Sequence, residues 1–173
     1  MNRIFYGLHT GVVLGLGLVL TACTEPGTGI TDSDSSPSDA ERVVLKYIDS
    51  FNSQDLTVME QTLADPFVLN GEDVSFDAFR EILIGFWQVF PDYSLEITHQ
   101  FSAQDHVTLR LLMSGTGRGE YHGHDVDGKS TEVSEVVFFR VRDGRIHEYW
   151  YEWDRLEFWM QLGVIDDSVP FVN

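Results

Sequence analysis

The chain has a single cysteine, Cys23, so no intrachain disulfide can brace it. Basic residues are scarce: 11 Lys and Arg stand against 28 Asp and Glu, a formal net charge of −17 at pH 7. A surface of that sign repels phosphate backbones and argues against nucleic acid as a partner. No glycine-rich loop follows a strand and opens a helix, so the phosphate-binding motif is missing. No Gly-x-Ser-x-Gly elbow is present, and the lone Cys is badly placed for a nucleophile. Metal-ligand spacing is also lacking. His122-Gly123-His124-Asp125 lies in a glycine-rich stretch and would need a third ligand to converge on a metal. A solvated loop is the simpler reading, and neither metal nor cofactor is expected.

Long apolar runs are limited to Ile4–Leu20, which is short for a spanning helix and interrupted by glycines. A basic start (Met1-Asn2-Arg3) precedes this run, and Leu20-Thr21-Ala22-Cys23 follows it, the layout of an export signal. Leu-Thr-Ala-Cys resembles a bacterial lipobox. It implies that residues 1–22 are a lipoprotein signal peptide and that Cys23 is acylated as the mature N-terminus. Residues 23–37 then form a flexible tether, rich in Gly, Ser, Pro and Asp and too poor in apolar surface to fold. The expected address is the cell envelope, lipid-anchored to a bacterial membrane.

From Ser38 onward the composition is that of a globular domain. The whole chain is 43% hydrophobic and 13% aromatic, enough for one real core. Ser38-Asp39-Ala40-Glu41 is a capping box, and Val44, Tyr47, Ile48 and Phe51 follow at helical spacing. A second short helix starts at Asp55 and is stopped by Asp65-Pro66. Phe67-Val68-Leu69 reads as a short strand ending at Asn70-Gly71. A third helix is predicted from Ser75 to Phe90, with Phe79, Ile82, Leu83, Phe86 and Phe90 inward and Trp87 broadening the stripe. Tyr93, Leu95, Ile97, His99 and Phe101 alternate on one face of the next strand, which puts His99 among apolar neighbours. His106–Thr116 is another strand. Helices on one side of a curved antiparallel sheet make an α+β open cone with an interior cavity.

The stretch Ser130–Gly163 carries the densest chemistry. Thr131–Val141 suits a strand, Asp143-Gly144 a two-residue turn, and Arg145–Trp153 an aromatic return strand. With unbroken pairing, Val137 faces Trp150, Glu135 faces Glu152, and Val133 faces Asp154. Glu135, Glu152 and Asp154 then share a face with an indole, which would raise at least one carboxyl pKa and prepare a general acid/base. A plainer reading stands beside it. Asp154-Arg155-Leu156-Glu157 fits a helix N-cap with Glu at the third position, leaving Glu135 and Glu152 on a wet face.

The order of elements and four sets of residues resemble the SnoaL-like polyketide cyclase (ester cyclase) family of the NTF2-like superfamily. These are Phe90-Pro91-Asp92; the glycines Gly115-Thr116, Gly119, Gly123 and Gly128-Lys129; Phe139-Arg140 with Asp143-Gly144-Arg145-Ile146; and Trp150, Asp154, Leu156 and Gln161-Leu162-Gly163. The resemblance implies a cone-shaped barrel, with a curved antiparallel sheet on three N-terminal helices and a short C-terminal helix, over residues 38–173. It also implies a deep apolar pocket and aldol chemistry by an aspartate without metal or cofactor. That aspartate would be Asp154, assisted by Glu152 or His99, with Trp87, Trp150, Tyr151, Phe86 and Glu135 shaping or drying the pocket. Many members carry His where this chain has Gly117 and Tyr149. The expected ligand is a small apolar carbonyl compound. The alternatives are a non-catalytic ligand- or partner-binding module outside the cytoplasm, and a homodimer through an aromatic outer sheet face of Phe138, Tyr149 and Tyr151.

Overall fold

The computed structural model describes residues 36–166. The expected export signal, Cys23 and nearly all of the expected tether lie outside the described residues. Helix α1 (Asp39–Asn52) opens on the capping box: the Ser38 hydroxyl accepts from the Glu41 N–H at 3.2 Å, and the Glu41 carboxylate accepts from the Ser38 N–H. Its stripe of Val44, Tyr47, Ile48 and Phe51 is buried. Glu41 also accepts from Gln100 (2.8 Å) and Ser102, while Asn52 exchanges two hydrogen bonds with the Leu95 backbone (2.8 and 2.9 Å). Both ends of α1 are thereby tied to the sheet it crosses.

Helix α2 (Leu56–Thr62) is capped by Asp55, which accepts from the Val58 N–H at 3.0 Å. Leu63 is already extended and opens strand β1 (Leu63–Leu69). Asn70 and Gly71, both with positive φ, turn the chain into β2 (Glu72–Val74), a strand too short to stand out in the sequence. Helix α3 (Phe76–Val89) starts at the Ser75 cap and buries Phe76, Phe79, Leu83 and Trp87. Ile82, expected in the buried stripe, is 61% exposed.

Strands β3 (Ser94–Ala103) and β4 (His106–Thr116) form a hairpin. A small hairpin follows (β5 Glu120–Tyr121, β6 His124–Asp125), then β7 (Ser130–Arg142), β8 (Arg145–Trp153) and helix α4 (Arg155–Gln161). The main sheet runs β2-β1-β8-β7-β4-β3, antiparallel except where β1 lies beside β8. The α+β frame expected from the sequence is therefore present: a curved, antiparallel-rich sheet with helices packed on it and a short C-terminal helix.

Two extra residues change which side chains point inward. In the β7–β8 hairpin Arg142 pairs with Arg145 and Val141 with Ile146, but Arg140 pairs with Glu148, leaving His147 as the added residue. In β3, Ile97 pairs with Leu111 but His99 pairs with Arg110, leaving Thr98. A bulge bends and twists its strand, and every residue beyond it changes face. Glu135 therefore lies opposite Trp153 rather than Glu152, and Val137 lies opposite Tyr151 rather than Trp150. Tyr149, expected on the outer face, is buried. His99, expected among apolar neighbours, is exposed.

Candidate functional site

Along β7 the inward residues are Val133, Glu135, Val137 and Phe139, all at most 5% exposed. Glu135 stands between Leu111 on β4 and Trp153 on β8. Above it lies a cavity of about 440 Å³, within the range of small-molecule sites. Tyr47 and Phe51 from α1, Phe79, Leu83 and Phe86 from α3, and Phe158 from α4 form its walls; Tyr149, Tyr151 and Trp153 extend its floor. Four further lining residues, Glu81, Ile82, Gly85 and His122, are half-buried or exposed and mark its mouth, between α3 and the small hairpin.

Glu135 has neither a hydrogen-bond donor nor an ion-pair partner among the described residues. Loss of water without compensation pushes its carboxyl up to about 8. Three phenols feel its charge: Tyr47, Tyr93 and Tyr149. Burial foremost, and the nearby carboxylate in addition, hold all three above the ordinary phenol range. They stay neutral at physiological pH and keep their O–H donors. Tyr149 occupies a position where the family resemblance led one to expect histidine. It stacks on Phe139 (4.8 Å between centroids) and meets Tyr47 edge-on at 5.6 Å. The other departure, Gly117, is a close-packing position: a Cβ there would lie 2.4 Å from the Val126 carbonyl oxygen.

The expected catalytic residues do not come together. Asp154 is exposed and caps α4, its carboxylate accepting from the Glu157 N–H at 2.9 Å. The plain capping reading of Asp154 describes its position, and it does not line the cavity. Glu152 is exposed on the outer face beside Trp150, which is 44% exposed. His99 lies outside with its ring Nδ1 3.3 Å from the Thr98 hydroxyl. Trp87 is buried edge-on against Phe51 at 5.4 Å and lies behind the cavity wall rather than in it. Of the residues expected to line the pocket, Phe86, Tyr151 and Glu135 do so. Tyr47, Tyr93 and Tyr149 had been read as core or surface; their signal was a hydroxyl on an otherwise apolar stripe. His122 and His124 pack near Trp159 (6.2 and 6.0 Å), and no group of three metal-ligating side chains forms among the described residues.

A family model described as SnoaL-like polyketide cyclase matches residues 41–162. Three solved structures share the fold. AclR, a proposed hydroxylase from Streptomyces galilaeus, is 24% identical with a TM-score of 0.68, over 76% of this chain and 89% of that one. IdmH, a proposed polyketide cyclase from Streptomyces antibioticus, is 24% identical at 0.67, over 73% and 100%. A SnoaL-like polyketide cyclase from Agrobacterium tumefaciens is 23% identical at 0.65, over 73% and 100%. No curated protein matches the sequence significantly.

Proposed function

Because the chain belongs to the SnoaL-like polyketide cyclase family, we propose that its cavity binds a small, largely apolar carbonyl compound and that Glu135 moves a proton beside the carbonyl. The carrying observation is the unpaired carboxyl of Glu135, 5% exposed, on the cavity floor. The role assigned to an aspartate by the family resemblance thus passes from the surface cap Asp154 to a glutamate buried on the cavity floor. Glu135 in its ionised form abstracts a proton α to the carbonyl. The hydroxyls of Tyr47, Tyr93 and Tyr149 are suited to hold the enolate oxygen that forms. Return of the proton to carbon closes an isomerisation; attack of the enolate on a second carbonyl, whose oxygen takes the proton back from Glu135, closes an aldol cyclisation.

With a carboxyl pKa of about 8, roughly one molecule in ten is ionised at pH 7. Base-catalysed turnover then rises about tenfold per pH unit below 8 and levels off above it. The test is deuterium uptake α to the carbonyl, followed by NMR in D₂O, over a panel of aryl methyl ketones and β-keto esters. Glu135→Gln lowers uptake by 100-fold or more, and Asp154→Asn leaves it unchanged. Wild-type uptake in Glu135→Gln refutes the assignment. Ligand binding without any exchange supports the non-catalytic module instead, a reading favoured by the lack, among the described residues, of a second carboxyl deep in the cavity.

The proposal also includes an address and an assembly. The Leu20-Thr21-Ala22-Cys23 stretch supports anchoring through acylated Cys23, and loss of labelled-palmitate incorporation in Cys23→Ala tests it. Phe138, 53% exposed, and Trp150 support a homodimer through the outer sheet face, while Tyr149 and Tyr151 no longer belong to that face.

A further inference from the structure

We propose that the carbonyl compound taken by this cavity carries a positively charged nitrogen, seated beside Glu135 within the rings of Tyr47, Tyr149, Tyr151 and Trp153. The inference rests on the reading of the cavity as the substrate site. The lining holds two carboxyl groups, Glu135 on the floor and Glu81 at the mouth, and no Lys or Arg among the described residues. Glu135 is nine-tenths buried, and among the described residues its neighbours on either side, Leu111 and Trp153, make no hydrogen bond to its carboxyl. The groups that feel its charge are neutral phenols, Tyr47 from α1, Tyr93 ahead of β3 and Tyr149 from β8, and the titratable imidazole of the lining, His122, stands at the mouth. Beside a neutral ligand this carboxyl stays in its protonated form at pH 7, a cation offsets the charge of the ionised form, and an anion adds like charge to a chain of net charge −17. Aromatic rings attract cations through their quadrupoles, most strongly where water is excluded.

The charge also bears on the chemistry. Before binding, Glu135 mostly holds its proton at pH 7. A cation beside it favours the carboxylate, so the proton leaves to solvent as the ligand enters. The carboxylate that remains is the form able to accept a proton from the carbon next to the carbonyl. A cationic substrate would thus generate its own base.

The probes are benzyltrimethylammonium, its uncharged isostere neopentylbenzene, and phenylacetate, titrated into the full chain by tryptophan fluorescence and by calorimetry in two buffers of different ionisation heat. At pH 9 the cation binds about tenfold or more tightly than the isostere, and phenylacetate binds weakest. At pH 7 cation binding releases close to one proton. Glu135→Gln abolishes the release and brings cation and isostere together. Trp153→Leu, a second variant, weakens the cation more than the isostere. Equal or tighter binding of the isostere or of phenylacetate at pH 9, binding at pH 7 without proton release, or no cation binding at millimolar concentration overturns the inference. Loss of cation preference with Glu135-dependent deuterium uptake intact sinks this inference alone. Cation preference with full uptake in Glu135→Gln sinks the proton-transfer reading alone.

Discussion

Glu135→Gln changes the pH dependence of stability in a way that can be worked from burial. In the unfolded chain the Glu135 carboxyl titrates near 4.5, and in the folded chain near 8. Below pH 4.5 both states hold the proton and Glu135 contributes no pH dependence. Between these values the unfolded state releases the proton while the folded state keeps it, so stability falls as pH rises, by about 1.4 kcal/mol per pH unit. Above 8 both states are ionised and the loss is constant. The full gap corresponds to about 5 kcal/mol, and about 3 kcal/mol is already lost at pH 7. Water entering through the cavity mouth solvates the carboxylate and lowers these figures, so they are ceilings. Glutamine keeps the shape and removes the titration. Denaturant unfolding of wild type and Glu135→Gln at pH 5, 7 and 9, read by tryptophan fluorescence, therefore shows the variant gaining on wild type by several kcal/mol between pH 5 and 9. Parallel profiles, within about 1 kcal/mol across that range, would refute the claim that this carboxyl is dry.

Other substitutions separate scaffold from site. Asp154→Ala removes the α4 cap and costs about 1 kcal/mol of stability, whereas Asp154→Asn, an equally good cap, costs little; denaturation midpoints check both. Gly117→Ala drives a Cβ against the Val126 carbonyl oxygen, a backbone atom that cannot swing away. It costs about 1–3 kcal/mol, seen as a lower midpoint, and an unshifted midpoint contradicts the packing argument. Tyr47→Phe strips a buried hydroxyl coupled to Tyr149 and costs about 1 kcal/mol. If phenols hold the enolate, it also slows deuterium uptake by roughly tenfold or more with the pH profile retained.

Local chemistry made much of the frame legible. The Ser38 capping box, the Val44–Tyr47–Ile48–Phe51 stripe, the Ser75 cap and the Asp143-Gly144 turn are decided by residues within a few positions of one another, and each formed as expected. The bulges at Thr98 and His147 carry no such mark. Neither is a glycine or lies beside a turn signal. Because strand side chains alternate, one added residue exchanged the two faces of β8 beyond it. Tyr149, Tyr151 and Trp153 went in where Trp150 and Glu152 had been expected, and Asp154 was left with the capping role its spacing had also allowed. Glu135 lies on β7, outside both bulges, and its inward placement survived; the acids expected beside it did not.

What this sequence determined by itself is the charge, the helix starts and stops, the turn between β7 and β8, and the family to which those features point. Only the tertiary structure decided which carboxyl loses its water. That choice depends on Leu111, Trp153 and three phenols brought together from α1, β4, β8 and the segment before β3. Desolvation is a property of that assembled surrounding, and no run of neighbouring residues specifies it.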